Sequence, residues 1–117
     1  MQVSMTLNNK EIADLQKKYS YLINYERDDP MAPINPENYM DSDGDHLIHI
    51  AARQGDLQTV EVLIRAGQDI NQIGDMGYTP LHCAYMSGNV EVIEFLLANG
   101  ANKEVKNEFG QTPEEGV

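Results

Sequence analysis

Tryptophan is absent from this chain, phenylalanine occurs twice and cysteine once. A single thiol, Cys83, cannot close an intrachain disulfide, so no covalent staple holds the fold. A reducing compartment, the cytoplasm, is the expected setting. Long apolar runs are missing too. None approaches the roughly 20 residues of a membrane-spanning helix. Residues 1–10 lack the basic stretch followed by an apolar one that marks a secretory leader. Basic residues are scarce: 8 Lys and Arg stand against 19 Asp and Glu, a net charge of −11. Nucleic-acid binding draws its affinity from cations that neutralise phosphates, so this balance argues against a nucleic-acid partner. Anionic membrane surfaces would repel the chain as well. The acid excess suits a basic partner, or serves solubility alone. It is uneven: residues 1–42 carry four basic and seven acidic groups, residues 43–117 four and twelve.

What the chain does have is a core's worth of apolar residues and an internal period. At 117 residues and 41% hydrophobic, it can bury one modest core. Gly44, Gly77 and Gly110 are spaced by 33 residues. The same interval separates His49 from His82, Ala51 from Ala84, Gly55 from Gly88, Leu63 from Leu96 and Gly67 from Gly100. Thr79-Pro80 recurs as Thr112-Pro113. Each unit reads as two short helices and a turn. In the second, Thr79 is placed to cap a helix whose first residue is Pro80. Leu81 and Ala84 face inward, and Gly88 can take the left-handed conformation that ends the helix. Val90, Ile93, Leu96 and Leu97 then mark a second amphipathic helix, closed by Gly100. The first unit repeats the pattern with Leu47, Ile48 and Ala51, then Gly55, then Leu57, Val60, Leu63 and Ile64, then Gly67.

The stretch Thr79-Pro80-Leu81-His82-Cys83-Ala84, at this period, resembles the ankyrin-repeat signature. Asp41-Ser42-Asp43-Gly44 and the runs through Gly67-Gln68-Asp69-Ile70-Asn71 and Gly100-Ala101-Asn102 are similar to the same pattern, so the resemblance covers about residues 41–113. It implies an all-α solenoid of helix-turn-helix units joined by β-turn loops, with repeats at about 41–73 and 74–106 and a partial third at 107–117. The first unit departs from the signature, with His46-Leu47 in place of Thr-Pro. Two full repeats are few for a stack of this kind, whose ends need cover. Residues 1–40 are expected to supply one cap. Asn8 and Glu11 have capping-box spacing, and Ile12, Leu15, Tyr19 and Leu22 form one helical stripe. A helix over about 9–26 is predicted, followed by a loop through Pro30, Pro33 and Pro36. Thr112 to Val117 add at most one turn at the other end. The face near Phe95 and Leu96 is then partly open and supports a weak dimer, or the natural chain continues beyond Val117.

Three arrangements suggest chemistry. Asp41, Asp43 and Asp45 are spaced like the first ligands of a calcium loop, but His46 stands where that loop needs Gly and Ala52 where it needs Glu. The acids suit turns, where their side chains bond nearby backbone. His46, His49, His82 and Cys83 could be offered as a zinc or redox site. His49 and His82, however, occupy the ankyrin histidine position, which the resemblance assigns to bracing neighbouring repeats. Cys83 lies on a different side of its helix from His82, so a Cys-His nucleophile is not expected. The carboxylates show no acid–base pairing, and no Gly-rich phosphate loop is present. No cofactor, metal or catalytic residue is expected, and the chain reads as a non-enzyme.

Ankyrin proteins bind partners through the turn tips and the exposed side of each first helix. The resemblance maps that surface to Ser42, Asp43, Asp45, Arg53 and Gln54 in the first unit. In the second it gives Asp75, Met76, Tyr78, Tyr85, Met86 and Ser87. In the third it gives Glu108, Phe109 and Gln111. Acids would steer a basic protein towards this face, and Met76, Tyr78, Met86 and Phe109 would anchor it. The competing assignment packs Tyr78 and Phe109 against neighbouring turns and leaves the acids merely solvated. The expected function is therefore a protein-binding adaptor or regulator. An inhibitor or immunity protein that covers a basic toxin or nuclease is an alternative, and a structural fragment of a longer scaffold is another.

Overall fold

A computed structural model describes residues 6–24 and 29–116. Its helices are α1 (Asn9–Lys18), α2 (Leu47–Gln54), α3 (Leu57–Arg65), α4 (Pro80–Ser87) and α5 (Val90–Ala98). Among the described residues there is no strand, only an antiparallel bridge between Met40 and His46.

The two helix pairs form where the period places them. Gly55 and Gly88 close α2 and α4 with φ of 73° and 71°, a conformation that glycine adopts without penalty. Thr79 caps α4 through its hydroxyl and Pro80 opens it. Asp56 caps α3, accepting from the Thr59 N–H. The pairs stack with α2 against α4 and α3 against α5. Leu47, Ile48, Ala51, Val60, Leu63, Leu81, Ala84, Val92 and Leu96 are buried between them.

His49 and His82 tie the stack together. Nδ1 of each accepts a backbone N–H, from His46 at 3.0 Å and from Thr79 at 3.1 Å. With Nδ1 accepting, Nε2 carries the proton. It donates to a backbone carbonyl further along the chain: His49 to Gln72 at 2.7 Å, within the first unit near its junction with the second, and His82 across to Gln111 of the third unit at 3.0 Å. Both rings are buried. Burial lowers the His49 pKa, outweighing the carbonyl and Asp45 that favour the cation.

At the N-terminal end the capping box forms as its spacing predicts, with Asn8 and Glu11 bonding each other's backbone. The helix itself stops at Lys18, short of the expected 26; residues 25 and 26 lie outside the described residues. Tyr19 is the reason. Its φ,ψ of −107°,30° leaves the helix, and its ring is fully buried with the hydroxyl donating to Asp56 at 2.7 Å. Lys18 reaches the same carboxylate, and Arg65 pairs with Glu11. The proline-containing segment packs beside α1: Gln16 donates to the Ile34 carbonyl and Gln68 to the Glu37 carbonyl. At the other end residues 112–116 make a turn closed by the Gly116 N–H on the Thr112 carbonyl, with no further helix among the described residues.

Candidate protein-binding face

Three turns, at residues 41–45, 74–78 and 107–111, stand side by side at one edge of the stack. In the first, Asp41 Oδ1 accepts the N–H groups of Asp43 and Asp45, both at 2.9 Å. In the third, Asn107 Oδ1 does the same for Phe109 at 2.9 Å and Gln111 at 3.0 Å. The middle turn has Gly74 at the equivalent position and no side chain to do this. A Cβ there would lie 2.4 Å from Asp45 Oδ1 and 2.8 Å from the His49 ring. The middle turn is held differently: Tyr78 N–H closes on the Asp75 carbonyl at 3.0 Å, and Asp75 N–H donates to Asp45 Oδ1 of the neighbouring turn at 2.9 Å. The third turn is joined on by Glu108 N–H donating to the Met76 carbonyl at 3.0 Å. The tips are thus hydrogen-bonded into one row.

The expected surface residues divide when placed on this row. Ser42, Asp43, Met76, Glu108, Phe109 and Gln111 are exposed at the tips, Phe109 by 62% and Met76 by 45%. Asp75 is partly exposed beside them. Asp43, Asp75 and Glu108 form no ion pair with any described residue. Arg53, Gln54, Met86 and Ser87 are exposed at the C-terminal ends of α2 and α4, below the tips.

Asp45 does not belong to the open surface. It is 4% exposed, and its carboxylate is divided between Asp75 N–H and the Arg53 guanidinium at 3.2 Å. Its role is to join turns, and the Arg53 charge is largely matched by it. Tyr78 is half-buried, stacked on His82 with ring centroids 5.6 Å apart, so it packs inward and shows only part of its ring. Tyr85 is also only partly exposed. Ser87 donates to the Cys83 carbonyl at 3.0 Å and so serves its own helix end.

One exposed residue on this side was not anticipated. Tyr21 is 61% exposed, and its hydroxyl meets the Gln54 amide. On a helix running to residue 26 it would have faced away from the stripe. The turn at Tyr19 brings it round to the end of α2.

The residues that suggested chemistry are engaged otherwise. Cys83 is fully buried, and burial pushes its thiol up to about 11 despite the Arg53 guanidinium 3.4 Å from Sγ. It is a protonated core residue at neutral pH. The His49 and His82 ring nitrogens are occupied by backbone groups, each Nδ1 by an N–H of its own turn and each Nε2 by a carbonyl. Among the described residues no three His, Cys, Asp or Glu side chains converge as metal ligands would. No helix among them is long and apolar enough to cross a membrane.

The family model described as ankyrin repeats, three copies, matches residues 8–107. Among curated proteins, the chain is similar to protein phosphatase 1 regulatory subunit 27 of Homo sapiens, 35% identical over 66 residues, covering 56% of this chain and 43% of that one. It is also similar to the probable 26S proteasome regulatory subunit p28 of Saccharomyces cerevisiae, 36% identical over 85 residues, covering 71% and 37%. Myotrophin of Xenopus tropicalis is 42% identical over 59 residues, half of each chain. The chain thus spans half or less of the length of these relatives. The model's match takes in most of the sequence, on residues whose geometry recurs every 33 positions, and by it the chain belongs to the ankyrin-repeat family.

Proposed function

We propose that this chain is a non-catalytic protein-binding module that takes a basic protein on the row of turn tips, in a reducing compartment such as the cytoplasm. The observation that carries the reading is the row itself. Asp43, Asp75 and Glu108 present carboxylates that form no ion pair among the described residues, and Met76 and Phe109 project beside them from backbone that is hydrogen-bonded from one turn to the next. Apolar side chains that are already exposed lose water when a partner covers them, and this term dominates interface energy. The acids raise the rate of encounter with a cation-rich surface and exclude acidic competitors. Turns tied to each other need little ordering on binding. Two of the relatives bear the names of regulatory subunits of larger assemblies, which accords with a module that acts by attachment.

The test is capture from a native lysate by the wild-type chain beside a Met76→Ala/Asp75→Lys/Phe109→Ala variant. Tyr78 is left intact because its stacking on His82 is structural. A basic protein retained by the wild type, and lost or weakened at least tenfold by the variant, is the expected result. Whether capture also abolishes that protein's activity separates an inhibitor, of the kind that neutralises a toxin or nuclease, from an adaptor. Equal retention by both chains would remove the tips from the interface.

A further inference from the structure

A second surface lies at the far end of the stack, on α5 rather than at the tips. The 33-residue period gives its internal control. In the first unit Ala52 and Val60 are both 0% exposed, in the core that α2 and α3 form with α4 and α5. Their equivalents in the second unit, Tyr85 and Ile93, are partly exposed. Leu57 and Ile64 are partly buried, whereas their equivalents Val90 and Leu97 are 61% and 37% exposed. The third turn covers only the turn side: Asn107 and Pro113 are buried there, and Gln111 holds His82. The helix side carries a strip of four apolar side chains one unit wide.

We propose that this strip docks an amphipathic helix of another protein, with an apolar stripe flanked by Lys or Arg. The shape follows from the first unit, where the equivalent strip is covered by a helix pair. The sign of the flanks follows from charge. Glu91 and Glu94 are exposed on α5 itself, and residues 80–116 hold six carboxylates against Lys103 and Lys106. A second copy fits less well. The corresponding face of the first unit is occupied by α1, through Tyr19–Asp56, Lys18–Asp56 and Glu11–Arg65, so head-to-tail stacking is blocked. Only a two-fold pairing of the strip with itself remains, and an isologous contact sets each glutamate near its own copy.

The probe is a synthetic helical peptide with Leu at core spacing and Lys elsewhere, beside a peptide of the same Leu pattern with Glu in place of Lys. Binding is followed by fluorescence anisotropy, with NMR shifts to locate it. The Lys peptide is expected to bind and to shift the amides of α5. Val90→Ser/Leu97→Ser should weaken it at least tenfold, and Val90→Ser alone, at a side chain 61% exposed, should weaken it with little change in the thermal midpoint. The Met76→Ala/Phe109→Ala variant should bind it unchanged, which keeps this surface distinct from the tips. Absence of binding, equal binding of the Glu peptide, or a loss seen only in the tip variant overturns the proposal. So does a saturable dimer at micromolar concentration that the α5 variant dissolves, or a natural product heavier than 13.1 kDa whose additional helices cover the strip.

Discussion

Met76 is the non-glycine residue whose φ, at 56°, lies in the left-handed region among the described residues. That conformation costs an L side chain with a Cβ about 1–2 kcal/mol. The cause is traceable. Gly74 leaves the middle turn without the side-chain acceptor that Asp41 and Asn107 supply to theirs, and the turn tightens into a short 3-10 segment at Asp75–Gly77. The result is a flexible thioether held outward at the centre of the row. Asparagine tolerates the left-handed region better. Met76→Asn should therefore raise the urea unfolding free energy by about 0.5–1 kcal/mol while weakening partner binding. An unchanged or lower stability would mean that no strain is held at that tip.

At the scale of elements, α1 is held to the stack by the burial of Leu15 and Tyr19 and by polar groups that meet at Asp56. Burial pushes the Asp56 pKa up, but hydrogen bonds from Thr59, Tyr19 and Lys18 outweigh this and hold it below the usual carboxylate range. Tyr19→Phe removes one of these bonds and keeps the buried ring. It should cost about 1.5–3 kcal/mol, as for a hydrogen bond to a charged group. Hydrogen exchange should show the loss first in α1, with α2 to α5 retaining their protection; uniform loss would mean that α1 does not open separately. The boundaries of α2 to α5 were legible because caps, glycines and apolar spacing agree at each of them. The end of α1 was not. Tyr19 continues the apolar stripe, and the carboxylate that its hydroxyl meets, Asp56, lies 37 residues away. For the candidate face, the tips could be read from the period. The inward turn of Asp45 could not, because Arg53 and Asp75 reach it only once two units are stacked. Tyr21 carried no local signal at all.

Across the whole molecule, which extends 38 × 38 × 21 Å, buried imidazoles brace the turns, His82 across to the third unit and His49 at the end of the first. The unfolded chain binds a proton at His49 near its ordinary value of 6.5, and the folded chain does so only at lower pH. Stability from this residue is therefore complete above about pH 6.5. It declines as the pH falls from there, and the decline ends once the folded-state value is passed. Urea midpoints should drop between pH 7.5 and 5.5. His49→Gln should be less stable at pH 7.5 and show a flatter profile. A profile as steep as the wild type's would place the titration on another group.

Cys83 gives the stack a built-in clock. It is the chain's only thiol and lies beneath Arg53, near the contact between the two full units. A reagent reaches its buried sulfur only when the structure around it opens, so the rate of alkylation counts those openings. A partner that spans both units would lengthen the interval between them without touching the sulfur.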